Sequence, residues 1–390
     1  MLATIVLAAA MVIHLLCCAV LIFRGGRALR VSLVEGGSQM SEALPAVGVV
    51  VPIAGADENL AAVLESLVAQ DYPSYELIFV TRDRGNPATR IIQHTIEDCS
   101  FARQAISGKA VQCGQKNHNL LAGVKAVSEH AQVLVFCDST RLVPPGWLSA
   151  MIKPIAAGEG SVTSGYHHVV PADRRIAALG HAVTVLFLYL TKWFAWLNQP
   201  WGGGTAIKRV TFEALEVEKL WSTNVVDDVS LAARLKHTRI VVEQAPGACV
   251  FTPLARETLA AWAQWFIRQI LYLKYCLPAG WVAAAALCSL QAALLLLATG
   301  ICMAGVLSAV PLSALLCSAV YVVSLGALAF PLRQLHPHPG PWHRWLAAYF
   351  GAMLMACWCS LKSIFGRRIS WRGISYGVAW GGRVIDIRED

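Results

Sequence analysis

The N-terminal segment of this chain, residues 1–23, reads MLATIVLAAAMVIHLLCCAVLIF and contains no acidic residue, lysine or arginine. A helix of about 20 apolar residues is long enough to cross a lipid bilayer. The basic cluster RGGRALR follows this run directly, whereas a cleaved secretory signal has its basic cluster in front. We therefore predict that residues 1–23 are a retained transmembrane anchor whose C-terminal end lies in the cytosol.

Two later stretches, residues 281–331 and 345–365, are also apolar enough to cross a bilayer. The first is long enough for two helices with a break near Pro311, so residues 279–366 are predicted to form a C-terminal membrane region of about three helices. Because 56% of the 390 residues are hydrophobic and 14% are charged, the chain is not an ordinary soluble protein. We expect an integral, multi-pass membrane protein with a cytosolic domain, and a bacterial inner membrane is the first candidate location.

The basic tail, residues 367–390, raises a difficulty for a chain with four crossings. Four spans would leave the arginines of FGRRISWRGISY on the outer side of the membrane, against the positive-inside tendency. One late segment is therefore predicted to be re-entrant or interfacial, and the sequence leaves open which one. The net charge of +8 is concentrated near the apolar segments, which indicates anionic lipid headgroups and no nucleic acid as partners. The sequence does not indicate the oligomeric state.

Residues 45–256, which follow a linker over residues 24–44, alternate short apolar strands with amphipathic helices. VGVVVPI, YELIFVT and QVLVFCD read as buried strands, and the segments between them read as helices. This alternation is typical of an α/β domain with a parallel sheet covered on both faces. Such sheets bind ligands beyond the carboxyl ends of their strands, where Asp83 and Asp138 are expected. From spacing alone, each aspartate could instead cap the turn or helix that follows it.

Five motifs in this domain resemble the ceramide glucosyltransferases, in that family's order, over about residues 45–275. They are VPIAGADENLAAVLESLVAQDYPSYELIFVTRDRGNPA, QKNHNLLAGVK, VFCDSTRLVP, WGGGTAIKR and VVDDVSLAARL. The family belongs to the membrane-bound inverting glycosyltransferases, a class that also includes the cellulose synthases. The resemblance implies an α/β domain of the GT-A type (Rossmann-like), which binds a nucleotide-sugar and is inserted between transmembrane helices.

Two further segments, residues 182–197 and 257–278, are predicted to lie in the membrane interface. If residues 182–197 crossed the membrane, Asp138 and Asp228 would lie in different compartments, and a single reaction centre needs both. Trp193 and Trp196 suit the depth of the interface.

The resemblance also implies a binding site for a UDP-sugar, built from several motifs. Residues after the first two strands would border the base and ribose, a lysine would contact the diphosphate, and glycines would let the backbone pass close to the sugar. Taken alone, the same proline could be a strand terminator, the lysine a solvated side chain and the glycines a flexible turn. The donor residues implied are Pro52, Asp57, Asp83, Lys116, Gly203, Gly204 and Arg268.

The resemblance assigns Asp138 to a divalent metal, Mg²⁺ or Mn²⁺. A diphosphate leaving group carries several negative charges, so a metal ion, another cation or both must stabilise it. Carboxylate oxygens suit these hard ions. Thr140 occupies the place of the second aspartate of a D-x-D signature, so we expect the ion to bind weakly without the nucleotide.

Asp228 is assigned as the general base, which would take the proton of the attacking hydroxyl in a one-step displacement. It matches the second acid of the family's acidic pair, and Asp227 would orient it or hydrogen-bond the sugar. The alternative is that both aspartates only cap the helix VSLAARL.

The family ends its catalytic domain with a (Q/R)-x-x-R-W signature, and the matching stretch here is QWFIRQI. Arg268 occupies the arginine position, but Trp265 stands in place of glutamine or arginine and Gln269 in place of tryptophan. The acceptor wall is therefore expected to come from Trp262, Trp265 and Gln269.

These features together predict a hexosyltransferase that moves a sugar, with glucose as the first candidate, from a UDP-sugar to a lipid hydroxyl. Ceramide is the first candidate acceptor, which would place the protein in sphingolipid and glycolipid metabolism. Two alternatives stay open: a processive polysaccharide synthase, and a non-catalytic lipid-binding membrane protein on the same fold.

Overall fold

The computed structural model describes residues 2–35, 44–307 and 310–389, so residues 36–43 of the predicted linker lie outside the described residues. The first part of the chain forms α1 (Leu2–Glu35), β1 (Val47–Ile53), α2 (Leu60–Val68), β2 (Tyr75–Thr81), α3 (Ala88–Ile96), β3 (Ala102–Ile106), α4 (Gln115–Ala126), β4 (Val133–Cys137), α5 (Trp147–Ala156), β5 (Val162–Ser164) and β6 (His167–Pro171). The second part forms α6 (Ile176–Thr191), β7 (Gly204–Lys208), α7 (Arg209–Ala214), α8 (Val217–Trp221), α9 (Asp228–Thr238), β8 (Glu243–Gln244), β9 (Val250–Leu254), α10 (Leu259–Cys276), α11 (Pro278–Leu307), α12 (Leu312–Arg333), α13 (Trp342–Phe365), β10 (Arg368–Trp371), β11 (Ile374–Val378) and β12 (Val384–Glu389).

The main sheet has seven strands in the order β3-β2-β1-β4-β7-β5-β8. Strands β3, β2, β1 and β4 are parallel, as predicted, but β7 is antiparallel to β4, so the sheet is mixed rather than purely parallel. The reason is the direction from which the chain returns: Gly204 at the start of β7 pairs with Cys137 at the end of β4. The loop before β7 therefore lies at the carboxyl edge of the parallel strands, next to Asp138.

Both faces of the main sheet are covered by helices, which explains why β1 is buried at all seven positions. Alternate side chains of β1 point to opposite faces. Val49 and Val51 pack with α2, α3 and α5, while Val50 packs with Leu120 of α4 on the other face. A continuous apolar run such as VGVVVPI is what a strand covered on both faces requires.

In the part of the chain that the structure describes, four helices, α1, α11, α12 and α13, are long and apolar enough to cross a membrane. Helix α1 extends the predicted anchor to Glu35, and α1, α11 and α12 present large apolar side chains on their outer surfaces. The segments predicted to be interfacial form α6 and α10, and α6 packs against α13, β6 and α1.

Helix α13 contacts the α/β domain near its start and helix α10 at its end. Near its start, Arg344 donates to the carbonyl of Arg174 at 2.8 Å. At its end, Lys274 of α10 donates to the carbonyl oxygen of Ser363, in the last turn of α13, at 2.9 Å and to that of Gly366, directly after the helix, at 3.0 Å. Of the four apolar helices, α13 also has the lowest mean hydropathy and the largest share of buried residues.

The segment predicted as a basic tail forms an antiparallel sheet, β10-β11-β12, through residue 389. This C-terminal sheet packs against the α/β domain: Val225 donates to the carbonyl of Gly382 at 3.0 Å, and Gly381 donates to that of Tyr275 at 2.8 Å. Its Arg368 binds both carboxylate oxygens of Asp386, which joins β10 to β12. The positive charge of this segment is therefore partly neutralised within the sheet.

Candidate active site

A cavity of about 510 Å³ lies at the carboxyl edge of β1 and β4, between the main sheet and helices α10, α11 and α13. Its polar wall includes the acidic residues that follow β4 and precede α9. Its apolar wall comes from α10 and α11 and consists of Phe266, Ile270, Leu273, Ala284, Ala285 and Cys288. One cavity therefore joins the carboxyl edge of an α/β sheet to the apolar side chains of α10 and α11.

Three carboxylates surround the ammonium group of Lys116 in this cavity. Lys116 Nζ lies 2.9 Å from Asp138 Oδ1 and 3.0 Å from Asp227 Oδ2, and it donates to the carbonyl of Gly202 at 2.9 Å. Asp228 Oδ2 accepts a hydrogen bond from Gly202 N at 2.9 Å. The backbone of Gly202 thus links Lys116 to Asp228, so the four predicted polar side chains form one cluster.

Burial and charge shift the proton affinities within this cluster. Burial opposes the charge of Lys116, but the attraction of Asp138, Asp227 and Asp228 outweighs it, so the pKa of Lys116 is raised and the ammonium stays charged. Asp227 is 4% exposed, and burial raises its pKa to about 6, with Lys116 opposing and the charge of Asp228 adding to the rise. The ammonium group of Lys116, which lies between the acidic side chains, therefore holds the cluster together.

The side chains of Asp227 and Asp228 make different hydrogen bonds at the start of α9, and these bonds test the alternative that both residues only cap this helix. Asp227 occupies the N-cap position but its side chain makes no capping hydrogen bond and binds Lys116 instead. Asp228 Oδ1 accepts from the backbone N–H of Val229 at 2.7 Å, and its other oxygen accepts from Gly202. The Asp228 carboxylate is therefore fixed in direction and lies in the cavity wall.

The loop before β7 can pass this close to the carboxylates because its last two residues, Gly202 and Gly203, are glycines. A Cβ on Gly202 would lie 3.0 Å from oxygens of both Asp227 and Asp228, and a Cβ on Gly203 would lie 2.3 Å from the ring of Trp201. Side chains at either position would displace the cluster or the indole. Gly204 begins β7, and its backbone N–H donates to the carbonyl of Trp201.

The remaining donor residues predicted from the sequence lie in different places. Pro52 lines the cavity near the end of β1. Asp57 is exposed and forms a 2.9 Å ion pair with Arg372. Asp83 is exposed, and the structure does not bring it into the cavity wall, because it belongs to the turn after β2 in which Asn86 N bonds its carbonyl. The carboxylates that the structure brings together in the cavity are therefore those of Asp138, Asp227 and Asp228.

Helix α10 brings Trp265, Arg268 and Gln269 to the cavity wall. Arg268 makes no hydrogen bond or ion pair with a described residue, so its guanidinium is available to a substrate anion. Trp262 lies one turn earlier, outside this wall, and its ring packs on Gly180 of α6, where a Cβ would approach it to 2.4 Å. The structure therefore separates Trp262 from the other residues predicted to form the acceptor wall.

Several cavity residues could not be singled out from the sequence. His167 stacks on Trp201, with ring centroids 4.8 Å apart and planes 6° apart. Lys192, at the end of α6, is 3% exposed, and its Nζ donates to the carbonyl of Gln199 at 2.6 Å and lies 4.8 Å from the centre of the Tyr166 ring. Burial lowers the pKa of Lys192 to about 7, and Asp228 opposes this shift. The signal available in the sequence was a lone lysine inside the apolar run YLTKWFAWL.

The side chains around Asp138 fit a divalent ion only if the substrate completes its coordination. Among residues 2–35, 44–307 and 310–389, no group of three or more His, Cys, Asp or Glu side chains is positioned to hold a metal. Asp138 offers hard carboxylate oxygens, and its side chain is 31% exposed. The oxygens of a bound diphosphate would have to supply most of the other ligands.

The fold and the acidic cluster together define a class of protein. The chain is similar along 92% of its length, and 99% of the other chain, to the mannosyltransferase PcManGT from Pyrobaculum calidifontis, solved in complex with GDP-Man and Mn²⁺, at 15% identity and a TM-score of 0.53. It is also similar to glucosyl-3-phosphoglycerate synthase from Mycobacterium tuberculosis, over 59% of this chain and 79% of that one, at 18% identity and a TM-score of 0.38. The likeness to PcManGT shows that the fold is the GT-A-like mixed α/β fold of glycosyltransferases.

The family is shown by the sequence itself. The profile of Glycosyl transferase family 21 matches residues 3–384, nearly the whole chain, so the protein belongs to this family. This match confirms the family predicted from the five motifs and identifies the protein as a glycosyltransferase.

Proposed function

We propose that this protein is an inverting glycosyltransferase that moves a hexose from a UDP-sugar to a hydroxyl of a membrane lipid. Glucose is the first candidate sugar and ceramide the first candidate acceptor. The proposal rests on one observation: the Lys116 cluster and the apolar wall from α10 and α11 line the same cavity. A soluble acceptor would not need such a wall.

Support for a nucleotide-sugar donor comes from the position of the cavity and from a structural relative. Parallel α/β sheets bind nucleotides at the carboxyl ends of their strands, where this cavity lies. The relative from Pyrobaculum calidifontis was solved with GDP-Man and Mn²⁺. We assign the predicted donor residues Pro52, Lys116 and Arg268, which line the cavity, to the UDP moiety, and the role of Asp83 stays a prediction.

The proposed reaction is a single displacement at the anomeric carbon. Asp228 takes the proton of the acceptor hydroxyl while the new oxygen–carbon bond forms and the bond from the anomeric carbon to the diphosphate oxygen breaks. UDP leaves and the configuration at the anomeric carbon inverts. Two backbone N–H groups, of Gly202 and Val229, donate hydrogen bonds to the Asp228 carboxylate and fix its orientation.

The leaving diphosphate gains negative charge as the bond breaks, and cations in the cavity stabilise it. Lys116 lies in the acidic cluster and is retained there by Asp227, while Arg268 approaches from α10. A divalent ion, Mg²⁺ or Mn²⁺, would be held by Asp138 and would supply further stabilisation of the diphosphate charge. Preorganised charges of this kind act strongly in a site from which water is largely excluded.

The acceptor is proposed to come from the bilayer. Trp265 and Gln269 line the cavity beside the apolar side chains of α10 and α11, so a lipid could place its hydroxyl near Asp228 while its chains stay among the helices. The arginines at positions 24, 27 and 30 lie in the C-terminal part of α1, before the α/β domain, which favours a cytosolic location for that domain.

The test is transfer of labelled sugar from UDP-glucose, and in parallel from UDP-galactose, to lipids in membranes that contain the protein. We expect one sugar on one extractable lipid. Asp228→Asn should reduce turnover by about 10²–10⁴-fold, the usual contribution of a general base, and leave UDP binding intact. The matched control is Asp98→Asn, an exposed carboxylate after α3 that should change nothing.

Three results would contradict the proposal. A polymeric product would indicate a polysaccharide synthase. Absence of transfer to any lipid by the wild-type protein would indicate a non-catalytic lipid-binding protein. Full activity of the Asp228→Asn variant would exclude Asp228 as the base.

A further inference from the structure

The hairpin that joins β10 to β11 is built to hold one side chain in a fixed position. Its two central residues, Arg372 and Gly373, have φ of 47° and 75°, and Trp371 pairs with Ile374 across the turn. Two successive positive φ angles define the tight type I′ turn, which matches the twist of the flanking strands. Arg372 is not a glycine, so this left-handed conformation carries a cost that the surrounding contacts must offset.

Those contacts join the hairpin to the carboxyl edge of the main sheet. Arg372 Nη2 lies 2.9 Å from Asp57 Oδ2, and Nη1 donates to the carbonyl of Ala54, directly after β1. On the same hairpin, Tyr376 Oη accepts a hydrogen bond from the backbone N–H of Gln115 at 3.1 Å. Gln115 begins α4 and immediately precedes Lys116, so the hairpin spans two elements that form the proposed donor site.

The C-terminal sheet is fixed in this position from its other edge as well. Glu389 on β12 forms ion pairs with Arg82 at 2.9 Å and with Lys109 at 3.0 Å. Asn224, three residues before Asp227, donates its side-chain amide to the carbonyl of Gly381 at 2.9 Å. The sheet therefore contacts the segments after β2 and β3 and before α9, which surround the carboxyl edge.

Three side chains of this sheet, Trp371, Arg372 and Tyr376, line the same cavity as Pro52 and Gln115. An indole offers a flat apolar surface for a base or ribose, and a guanidinium offers paired donors for phosphate oxygens. The N-terminal end of α4 lies beside this hairpin, and the helix dipole favours anions at that end. The apolar side chains that suit a lipid come instead from α10 and α11.

We infer that Trp371 and Arg372 bind the nucleoside diphosphate of the donor, so that the C-terminal sheet completes the donor site. This inference rests on the proposed function, because it assigns two more residues to the same cavity. It goes beyond the family motifs, which end about 100 residues earlier in the chain at Arg268 and Gln269. Both residues are positioned to contact the substrate directly.

The experiment measures equilibrium binding of free UDP to the purified full-length protein, together with the KM for the UDP-sugar and for the lipid. We expect Arg372→Ala and Trp371→Ala each to weaken UDP binding about tenfold and to raise the donor KM by the same factor. The acceptor KM should stay within twofold, and Arg372→Lys should restore part of the affinity. The matched control is Arg388→Ala on β12, whose exposed side chain pairs with Asp386 and lies outside the cavity wall.

Two outcomes would overturn the inference. UDP binding that is unchanged in both alanine variants would exclude contact with the nucleotide. A lower unfolding temperature with equal increases in both KM values would show that the hairpin only stabilises the domain. Because UDP binding is measured without turnover, a protein that binds UDP but transfers no sugar would contradict the proposed function and leave this inference standing.

Discussion

Lys116 is the residue that holds the acidic cluster together, since it contacts two carboxylates and the Gly202 carbonyl. If it were removed, Asp138, Asp227 and Asp228 would repel one another without a compensating cation. The sequence pointed to Lys116 only through the family motif, because a lysine at the start of a helix is usually solvated. Its importance here follows from three acids that two separate parts of the chain contribute, Asp138 after β4 and the pair Asp227 and Asp228 at the start of α9.

We expect Lys116→Met to reduce turnover by at least about 100-fold, because in the proposed reaction Lys116 stabilises the charge of the leaving diphosphate. The variant should also raise the pKa of Asp227 further, since the ion pair that opposes burial is lost. Steady-state kinetics of sugar transfer would measure the loss. The control is Lys125→Met on the exposed face of α4, where the lysine pairs only with Glu218. Activity within threefold of wild type for Lys116→Met would contradict this role.

Lys192 leads to a prediction about stability and pH. Burial lowers its pKa in the folded protein to about 7, whereas an unfolded lysine has a pKa of about 10.4. Between these values the unfolded chain binds more protons, so wild-type stability rises with pH. Relative to wild type, Lys192→Met should therefore have its highest unfolding temperature near pH 6.5, and this advantage should shrink towards pH 10.

Thermal unfolding of both proteins in one detergent at pH 6.5, 8 and 9.5 measures this difference. Loss of the hydrogen bond from Lys192 to the Gln199 carbonyl affects the variant equally at each pH, so it does not change the trend. A difference in unfolding temperature that does not vary with pH would contradict the lowered pKa. The sequence could not predict this burial, because the apolar run around Lys192 is equally consistent with a lysine at the lipid–water boundary.

At the level of elements, the close approach of α4 to the segment before α9 brings Lys116 and Asp227 together. Gly114, the N-cap of α4, allows it: its N–H donates to the carbonyl of Asn224 at 2.9 Å, and a Cβ there would lie 2.3 Å from the carbonyl oxygen of Val225. No real Cβ contact is that short, so a side chain would push the two elements apart.

We expect Gly114→Ala to lower turnover more than tenfold and to destabilise the protein by about 1–3 kcal/mol, as overpacking usually does. Activity and unfolding temperature would be measured together. Gly146→Ala serves as the control, because this N-cap of α5 has open space where its Cβ would lie. A Gly114→Ala protein with wild-type activity would show that α4 can shift without disturbing the cluster.

The order of strands and helices over the α/β domain could be predicted from the sequence, but two features of the sheets could not. The direction of β7 depends on how the chain returns after α6, and an apolar strand reads the same in both directions. Strands β10, β11 and β12 are only four to six residues long, and the strands together with their turns contain several arginines, so this segment resembles a basic tail. Their stability depends on contacts with Asn224, Gln115 and Asp57, which are distant in sequence.

At the scale of the whole molecule, the contacts at the two ends of α13 help to decide the membrane topology. Four crossings would place the arginines of the C-terminal segment on the outer side of the membrane, against the positive-inside tendency. The C-terminal sheet packs on the α/β domain, so the two must lie on the same side of the membrane. The chain must therefore cross the membrane an even number of times between α10 and β10. Since α13 begins beside the α/β domain and leads directly into the C-terminal sheet, which packs on that domain, we expect α11 and α12 to cross and α13 to lie in the interface along α6.

Reporter fusions would test this arrangement. A reporter inserted near Pro311, between α11 and α12, should be on the opposite side of the membrane from one fused after the last residue. The fusion after the last residue should share the side of one placed in the exposed turn at Asp98. A C-terminal reporter on the same side as the one near Pro311 would require α13 to cross and would contradict the packing of the C-terminal sheet. The arginines of the C-terminal segment already predicted that one late apolar segment does not cross the membrane, but the sequence did not indicate which one.

The apolar wall of the cavity has a consequence for how such an enzyme would respond to its acceptor. Each buried methylene favours the membrane by about 0.8 kcal/mol, so a two-chain lipid is essentially absent from the surrounding water. The quantity that governs saturation is then the mole fraction of acceptor among neighbouring lipids. Diluting the vesicles should leave the rate per protein unchanged, whereas adding inert phospholipid to the same bilayer should slow it.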